Sequence, residues 1–135
     1  MSTGYSGTPL ARKLGLSARM RVFVHAAPVD YLRWLDPLPD GLDLVPVPDR
    51  ATQFVHLFVT EATALDDQLR RLRQALRPDC PVWVSWPKRS SKVATDLTED
   101  VVREIALPLG FVDIKVCAVD AVWSGLKLVV RKALR

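Results

Sequence analysis

The segment Gln53–Val59 limits the possible folds of this chain more than any other feature of its sequence. Five of its seven residues are large and apolar, so both faces of an extended strand would be hydrophobic here. Such a strand is typical of the middle of a parallel sheet that has helices packed on each side. A helical stripe with steps of four, three and four follows at Leu65, Leu69, Leu72 and Leu76. The sequence therefore predicts an α/β domain with this strand near its centre.

Further strands and helices alternate on both sides of this pair. We predict strands at Arg21–His25, Asp43–Val47, Val82–Trp86, Val112–Val119 and Leu126–Arg131. We predict two short helices over Pro9–Leu14 and Val29–Leu35. Two longer helices are predicted further along the chain: the first is capped by Thr60 and ended by Pro78, and the second begins with a capping box of Asp96 and Glu99. A short connection makes the last two strands an antiparallel pair at a sheet edge. The expected fold is a three-layer α/β domain with a mostly parallel sheet and a terminal antiparallel strand.

Length and composition are those of one folded domain. The chain has 135 residues, of which 49% are hydrophobic and 25% charged. We predict a flexible leader at residues 1–7 and a single domain over residues 8–135. No apolar run approaches the roughly 18–20 residues that span a bilayer, no signal peptide is evident, and Cys80 and Cys117 lack metal-ligand spacing. These features predict a cytoplasmic protein with neither a membrane partner nor a bound metal.

The net charge of +4 is distributed along the sequence. Up to Val59 there are six basic and five acidic residues, and the remainder has thirteen and ten. A protein that binds nucleic acid usually gathers its basic residues on one face. This distribution argues against nucleic acid as a partner.

Five short stretches of the sequence carry a resemblance to known proteins: Phe54–Thr60, Val84–Lys88, Ser90–Lys92, Thr95–Arg103 and Val122–Lys127. They resemble a family of small bacterial proteins that is described only as a domain of unknown function. The resemblance covers nearly the whole chain after Tyr5 and implies no activity. The order of elements also resembles a shortened class I S-adenosylmethionine methyltransferase. This second resemblance is one of topology, and it implies a Rossmann-like, methyltransferase-like sheet.

The sequence departs from such methyltransferases at three features: the glycine-rich turn and the ribose-binding acid that hold S-adenosylmethionine, and a motif of the members that methylate amino groups. No glycine lies between Arg21 and Pro39, so the turn after the first strand lacks the residue that allows close backbone approach. Asp49, the candidate acid for the ribose, follows two prolines, and Gln53–Val59 leads into Thr-Glu in place of an Asp/Asn-Pro-Pro-aromatic motif. We therefore expect no cofactor and no catalytic residue. The alternative is a small methyltransferase with a degenerate cofactor site around His25–Val29 and Asp49.

The basic loop after Trp86 is the strongest candidate for a binding site. Ligands of parallel α/β sheets bind beyond the carboxyl ends of the strands, and basic or hydroxyl side chains there suit a phosphate or carboxylate. In this interpretation Trp86 forms an aromatic wall, Trp123 and Ser124 close the pocket, and His25 lies across the cleft. The predicted ligand-binding residues are His25, Trp86, Lys88, Arg89, Ser90, Ser91, Lys92, Trp123 and Ser124. The alternative is a solvated basic loop whose serines form local turns.

These observations lead to one functional hypothesis and several open alternatives. The hypothesis is a noncatalytic methyltransferase-like domain that binds a small anion, such as a phosphate-containing molecule or nucleotide, or a protein partner. A homodimer formed through an exposed edge strand, Leu126–Val130, is a further alternative. His56, inside the apolar strand, is predicted to be a hydrogen-bonded core residue, and a structural role is also favoured for His25.

Overall fold

The computed structural model describes residues 7–135, so the predicted leader lies outside the described residues except for Gly7. Within these residues there are four helices: α1 (Leu10–Leu14), α2 (Tyr31–Trp34), α3 (Ala62–Ala75) and α4 (Glu99–Ala106). The same part of the chain forms six strands: β1 (Arg21–His25), β2 (Asp43–Leu44), β3 (Phe54–Phe58), β4 (Val82–Pro87), β5 (Phe111–Ala118) and β6 (Trp123–Val130). Short 3-10 turns cover Arg89–Ser91, Leu107–Leu109 and Lys132–Leu134.

The six strands form one mixed sheet in the order β2-β1-β3-β4-β6-β5. The strands β2, β1, β3 and β4 are parallel, whereas β6 runs antiparallel to both β4 and β5. The predicted fold class, a mostly parallel α/β sheet with an antiparallel ending, is confirmed. The chain winds outward in both directions from the neighbours β1 and β3, which places the reversal of strand order between them.

Two apolar cores cover the two faces of the sheet. The face toward α3 and α4 carries alternate residues of the central strands, among them Val55, Leu57 and Trp86. The face toward α1 and α2 carries the others, among them Phe54 and Trp83. Because both faces are covered, β3 and β4 are buried along their whole length. The predicted α3 stripe is buried as well: Leu65, Leu69, Leu72 and Leu76.

The helix starts differ from the predicted ones. The residue that caps α3 is Glu61, not Thr60, and the backbone N–H of Ala62 donates to Asp96 Oδ1 at 2.8 Å. The predicted capping box on Asp96 is therefore wrong. Helix α4 is capped by Thr98, whose Oγ1 accepts from the N–H of Val101 at 3.2 Å. The segment before α4 folds back onto the end of β3, and this tertiary contact recruits Asp96 to the neighbouring helix.

The first part of the chain forms shorter elements than its sequence predicts. Helix α1 begins at Leu10, with Pro9 in the capping position, and ends as expected at Gly15, which has a φ of 87°. Helix α2 is a single turn, shorter than the predicted Val29–Leu35. Strand β2 has two residues because the chain leaves the sheet before Pro46, which has no N–H to donate to a ladder.

The strand at the antiparallel edge of the sheet is β5 and not β6. Residues Leu126–Val130, predicted as an exposed edge, pair on one side with β4 and on the other with β5. The prediction of that edge is wrong, so β6 has no free side through which a dimer could form, and a homodimer by another surface stays a prediction. The outer strand β5 is irregular between Asp113 and Lys115, and such a bulge weakens an edge as a template for further strands.

Two further structural findings concern the described residues. Among residues 7–135, no helix has both the length and the apolar character that crossing a membrane requires. The same residues contain no cluster of three or more side chains of the types that ligate metals.

Candidate functional site

A cleft of about 550 Å³ lies beyond the carboxyl end of β4. Its walls come from the segment between β4 and α4, the first residues of α4 and the start of β6. The residues that line it are Trp86, Pro87, Lys88, Arg89, Lys92, Val93, Ala94, Thr95, Asp96, Leu97, Thr98, Glu99 and Ser124. A volume of this order falls within the range of pockets for small molecules.

Trp86 and Leu97 supply buried apolar surface to the cleft. Both belong to the core between the sheet and helices α3 and α4, with Trp86 only 5% exposed. Ser124 pairs with Trp86 across the ladder between β6 and β4, so its side chain lies beside the indole on the same wall. The inner part of the cleft is therefore fixed by strands of the sheet, and its outer part by the basic loop.

Local hydrogen bonds set the shape of this basic loop, residues 88–92. The hydroxyl of Ser91 donates to the carbonyl of Lys88 at 2.6 Å and accepts from the N–H of Val93 at 3.3 Å. Lys92 follows with a φ of 62°, a left-handed conformation that turns the chain toward α4. The Ser91 hydroxyl is thus used in the turn, as the alternative interpretation of a serine-containing loop expects.

Lys88 connects the loop to the hairpin between β5 and β6. Its Nζ donates to the carbonyl of Asp120 at 2.9 Å, and its backbone N–H donates to the carbonyl of Val122 at 2.7 Å. The carboxylate of Asp120 in turn accepts from the N–H groups of Val122 and Trp123. Lys88 therefore holds two segments together, which is a structural role in addition to any contact with a ligand.

Arg89 and Lys92 are the two cations of the cleft that have no fixed partner. Both are exposed, and neither makes a side-chain hydrogen bond or ion pair within residues 7–135. Of the two acids of the cleft, Glu99 pairs with Arg103, whereas Asp96 accepts only a backbone N–H and keeps its negative charge. The three cations Lys88, Arg89 and Lys92 outnumber this one carboxylate, so the net charge of the cleft is positive, which favours an anionic ligand.

The structure brings five of the nine predicted site residues to this cleft: Trp86, Lys88, Arg89, Lys92 and Ser124. Ser90 and Ser91 belong to the loop but do not line the cleft. The opposite wall of the cleft, formed by Val93–Glu99, was not predicted from the sequence. The predicted start of α4 could have indicated it, because the chain has to pass the end of β4 before the helix begins.

Trp123 and His25 lie outside the cleft, contrary to the prediction from the sequence. The side chain of Trp123 packs on the opposite face of the sheet, with its ring 5.0 Å from that of Phe58. Successive residues of a strand point to opposite faces, so Trp123 and Ser124 cannot both close one pocket. His25 ends β1, which is separated from β4 by β3, and it does not line the cleft.

A buried polar chain connects α2 to the centre of the sheet. The hydroxyl of Tyr31 lies 2.8 Å from Nδ1 of His56, and Nε2 of His56 lies 2.7 Å from Oγ of Ser85. Burial lowers the pKa of His56 to about 3, so the imidazole is neutral near pH 7. Burial also raises the pKa of Tyr31 well above its ordinary value. The prediction that His56 is a hydrogen-bonded core residue is confirmed, and this polar chain lies on the face of the sheet opposite the cleft.

The turn after β1 lies where the strand order reverses. Ala26 has a φ of 56°, a left-handed conformation that costs an alanine roughly 1–2 kcal/mol and a glycine almost nothing. The following helix, α2, has only four residues, so few aligned peptide dipoles face this turn. The carboxylate of Asp49 accepts from the N–H of Ala51 at 2.8 Å in a local turn.

The fold is methyltransferase-like, as its sheet order and the comparison with solved structures show. A SAM-dependent methyltransferase from Aquifex aeolicus is similar to this chain with a TM-score of 0.64 and 14% identity, over 90% of this chain and 87% of that protein. PigF, solved with SAH, has a TM-score of 0.59 and 8% identity, over 82% of this chain and 56% of PigF. A fibrillarin pre-rRNA processing protein from Methanococcus jannaschii has a TM-score of 0.53 and 8% identity, over 91% of this chain and 69% of that protein. At these identities the likeness concerns the fold alone.

No model of a protein family matches the chain, and no curated protein matches it. The predicted methyltransferase-like fold is confirmed by the solved structures. The likeness to the small bacterial proteins of unknown function stays a resemblance of sequence stretches.

Proposed function

We propose that this protein is a noncatalytic methyltransferase-like domain that binds a small anionic ligand in the cleft beyond β4. The observation that supports the proposal is the presence of two unpartnered cations, Arg89 and Lys92, at the mouth of a cleft with a buried tryptophan wall. The ligand that we propose carries a phosphate or a carboxylate, and a nucleotide is the largest molecule of this class that we consider.

Each part of the cleft has a chemical role in this proposal. The planar guanidinium of Arg89 can donate two parallel hydrogen bonds to a phosphate or carboxylate, and the ammonium of Lys92 adds a second positive charge. Trp86 and Leu97 offer apolar surface to the uncharged part of the ligand. The hydroxyl of Ser124, beside the indole, can donate or accept a hydrogen bond.

The residues at the reversal of strand order do not fit S-adenosylmethionine well, and this supports a noncatalytic domain. A cofactor that approaches the backbone closely needs a glycine-rich turn, and Ala26 and Ala27 present two methyl groups there. Helix α2 is too short to add much dipole, and the carboxylate of Asp49 is engaged in its own turn. No reaction step is therefore assigned to any residue.

One observation favours the alternative of a small S-adenosylmethionine-dependent methyltransferase. Ala26 already has the left-handed backbone conformation that a glycine would adopt in such a turn. Structural neighbours that were solved with SAH or SAM, such as PigF and LepI, support the same alternative by likeness of fold. Binding of S-adenosylmethionine would favour it over the anion-binding proposal.

The two thiols support the cytoplasmic location that we propose from composition. Cys80 and Cys117 are free and buried, and they belong to the separate cores on the two faces of the sheet. Burial raises the pKa of the Cys80 thiol to about 12, which keeps it protonated and unreactive.

Calorimetric titration with inorganic phosphate and ADP tests the proposed site. We expect the double variant Arg89→Ala/Lys92→Ala to bind at least about tenfold more weakly than the wild type, because charge-assisted hydrogen bonds are each worth about 1.5–3 kcal/mol. The matched control is Arg12→Ala/Arg50→Ala, which removes the same charge from exposed residues outside the cleft. Equal affinities for the two double variants would contradict this placement of the site, and absence of binding to the wild type would contradict the ligand class.

A further inference from the structure

A second basic surface lies on another side of the molecule, between α3 and the last residues of the chain. Residues 121–135 contain four basic residues and no acidic one: Lys127, Arg131, Lys132 and Arg135. The fold brings Arg131 to the 3-10 turn Leu107–Leu109, to which Arg73 of α3 also donates a hydrogen bond. Lys132 and Arg135 follow Arg131 in the last turn of the chain. Basic residues that are far apart in the sequence, Arg73 and Arg131, therefore lie at the same turn in the structure.

Hydrogen bonds to backbone carbonyls hold three arginines of this surface in place. Arg73 Nε donates to the carbonyl of Leu109 at 2.9 Å, and Arg131 Nη1 donates to the carbonyl of Leu107 at 2.9 Å. Arg135 Nε donates to the carbonyl of Val130 at 2.8 Å. A carbonyl orients a guanidinium without neutralising it, so each arginine keeps its charge and its remaining N–H groups.

Gly110 shows how closely these groups meet. A Cβ added at Gly110 would lie 3.0 Å from Arg73 Nε and 3.1 Å from Leu134 Cδ1, and the carbonyl of Gly110 accepts from the N–H of Arg131 at 2.8 Å. The flanking arginines of α3 add no free charge, because Arg70 pairs with Asp66 and Arg77 with Asp79. We call the surface the basic corner, and it consists of Arg73, Leu107, Leu109, Arg131, Lys132, Leu134 and Arg135.

The basic corner also has apolar groups and a hollow. Leu107 and Leu134 are 42% and 44% exposed. Beside them a hollow of about 370 Å³ is lined by Arg70, Arg73, Gln74 and Leu109. The surface thus offers fixed positive charge around exposed leucines.

We infer that the basic corner binds an acidic segment of a protein partner, one that carries leucine or other apolar side chains among its carboxylates. Guanidinium groups with free N–H pairs match carboxylates, and the exposed leucines match apolar side chains of a peptide. A nucleic acid fits less well. Within residues 7–135, the aromatic ring that lies beside Arg73 is that of Phe111, which is 1% exposed and offers no stacking surface.

Fluorescence anisotropy with three labelled probes tests this inference. The probes are a short peptide of alternating glutamate and leucine, a polyglutamate peptide of equal length, and a single-stranded oligothymidylate of similar charge. We expect the mixed peptide to bind tightest, with an affinity that falls as salt is raised. Tighter binding of the oligonucleotide, or no binding of the mixed peptide, would overturn the inference.

Two variants locate the binding surface. Lys132 is exposed and has no side-chain partner within residues 7–135, so Lys132→Glu reverses a charge without removing a contact of the fold. We expect Lys132→Glu to lower the affinity for the mixed peptide on the order of tenfold, whereas the control Arg50→Glu leaves this affinity unchanged. Leu134→Ser should lower the affinity for the mixed peptide but not the affinity for polyglutamate. Equal effects of Lys132→Glu and Arg50→Glu would show unspecific attraction and contradict the inference.

Discussion

The side chains of His56 and Ser85 face each other inside the sheet, with Nε2 of the imidazole 2.7 Å from Oγ of the serine and both residues fully buried. They lie on neighbouring strands, β3 and β4, and both point toward α1 and α2. Tyr31 completes the chain from the other side of the ring. The polar atoms of this core therefore depend on one another for their hydrogen bonds.

Ser85→Ala should lower the free energy of unfolding by about 1–3 kcal/mol, because it leaves one nitrogen of a buried imidazole without a partner. Urea denaturation measures the change. The matched control is Ser90→Ala in the exposed loop, for which we expect a change within about 0.5 kcal/mol. Equal effects of the two serine variants would contradict the structural role of the polar chain.

Stability should depend on pH through His56. The pKa of its imidazole is lowered from 6.5 to about 3 by burial, so below pH 6.5 the unfolded chain binds a proton that the folded chain does not. The free energy of unfolding is therefore highest above pH 6.5 and falls, by on the order of 1 kcal/mol per pH unit, as the pH is lowered toward 5. Urea denaturation at several pH values measures the slope. We expect the variant His56→Phe to be less stable than the wild type and to lose most of this pH dependence. An unchanged slope in this variant would contradict the assignment of the pH dependence to His56.

Ala26→Gly should stabilise the protein by up to about 1 kcal/mol, because the relief of a left-handed alanine exceeds the added entropy of the unfolded chain. Ala27→Gly is the control. Among residues 7–135 its position is not one of those with a positive φ, so we expect glycine there to destabilise the protein by about 0.5–1 kcal/mol. Thermal unfolding of the two variants should therefore shift in opposite directions. A shift of both to lower temperature would contradict the strained turn.

Lys88 and Arg89 should differ in what they contribute to stability, although they are adjacent in the loop. Lys88→Ala removes a charge-assisted bond to the carbonyl of Asp120 and should lower the free energy of unfolding by about 1–2 kcal/mol. Arg89→Ala removes no contact of the fold and should leave stability within about 0.5 kcal/mol. Urea denaturation compares them, and similar losses would contradict the separation of structural and binding roles.

Local patterns in the sequence were sufficient to predict most strands of the sheet and the fold class. The two-sided apolar strand β3 and the leucine stripe of α3 lie where their spacing predicts them. The order of the last two strands could not be predicted in the same way. Whether β6 or β5 lies at the edge depends on which strand of the hairpin packs against β4, and both carry alternating apolar residues.

The candidate site could be predicted in part, for a similar reason. The end of β4 marks the cleft, because parallel strands place their carboxyl ends together. The far wall, the role of Lys88 and the cap that Asp96 provides for α3 depend on contacts between residues that are far apart in the sequence. The hydrogen bonds from Lys88 to Asp120 and from Ala62 to Asp96 are examples. Trp123 was misplaced because the start of β6, and with it the alternation of its side chains, begins three residues before the predicted strand.

Thermal unfolding of the wild type in the presence of different ligands is the most direct test of anion binding in the cleft. The ligands are S-adenosylmethionine, its demethylated product, ADP, phosphate and sulfate. A ligand at a hundred times its dissociation constant adds about 2.7 kcal/mol, which raises the unfolding temperature by several degrees in a domain of this size. We predict a rise with the phosphate-bearing ligands, lost in Arg89→Ala/Lys92→Ala, and none with S-adenosylmethionine. A rise with S-adenosylmethionine or its product, and none with the phosphates, would contradict a noncatalytic anion-binding domain.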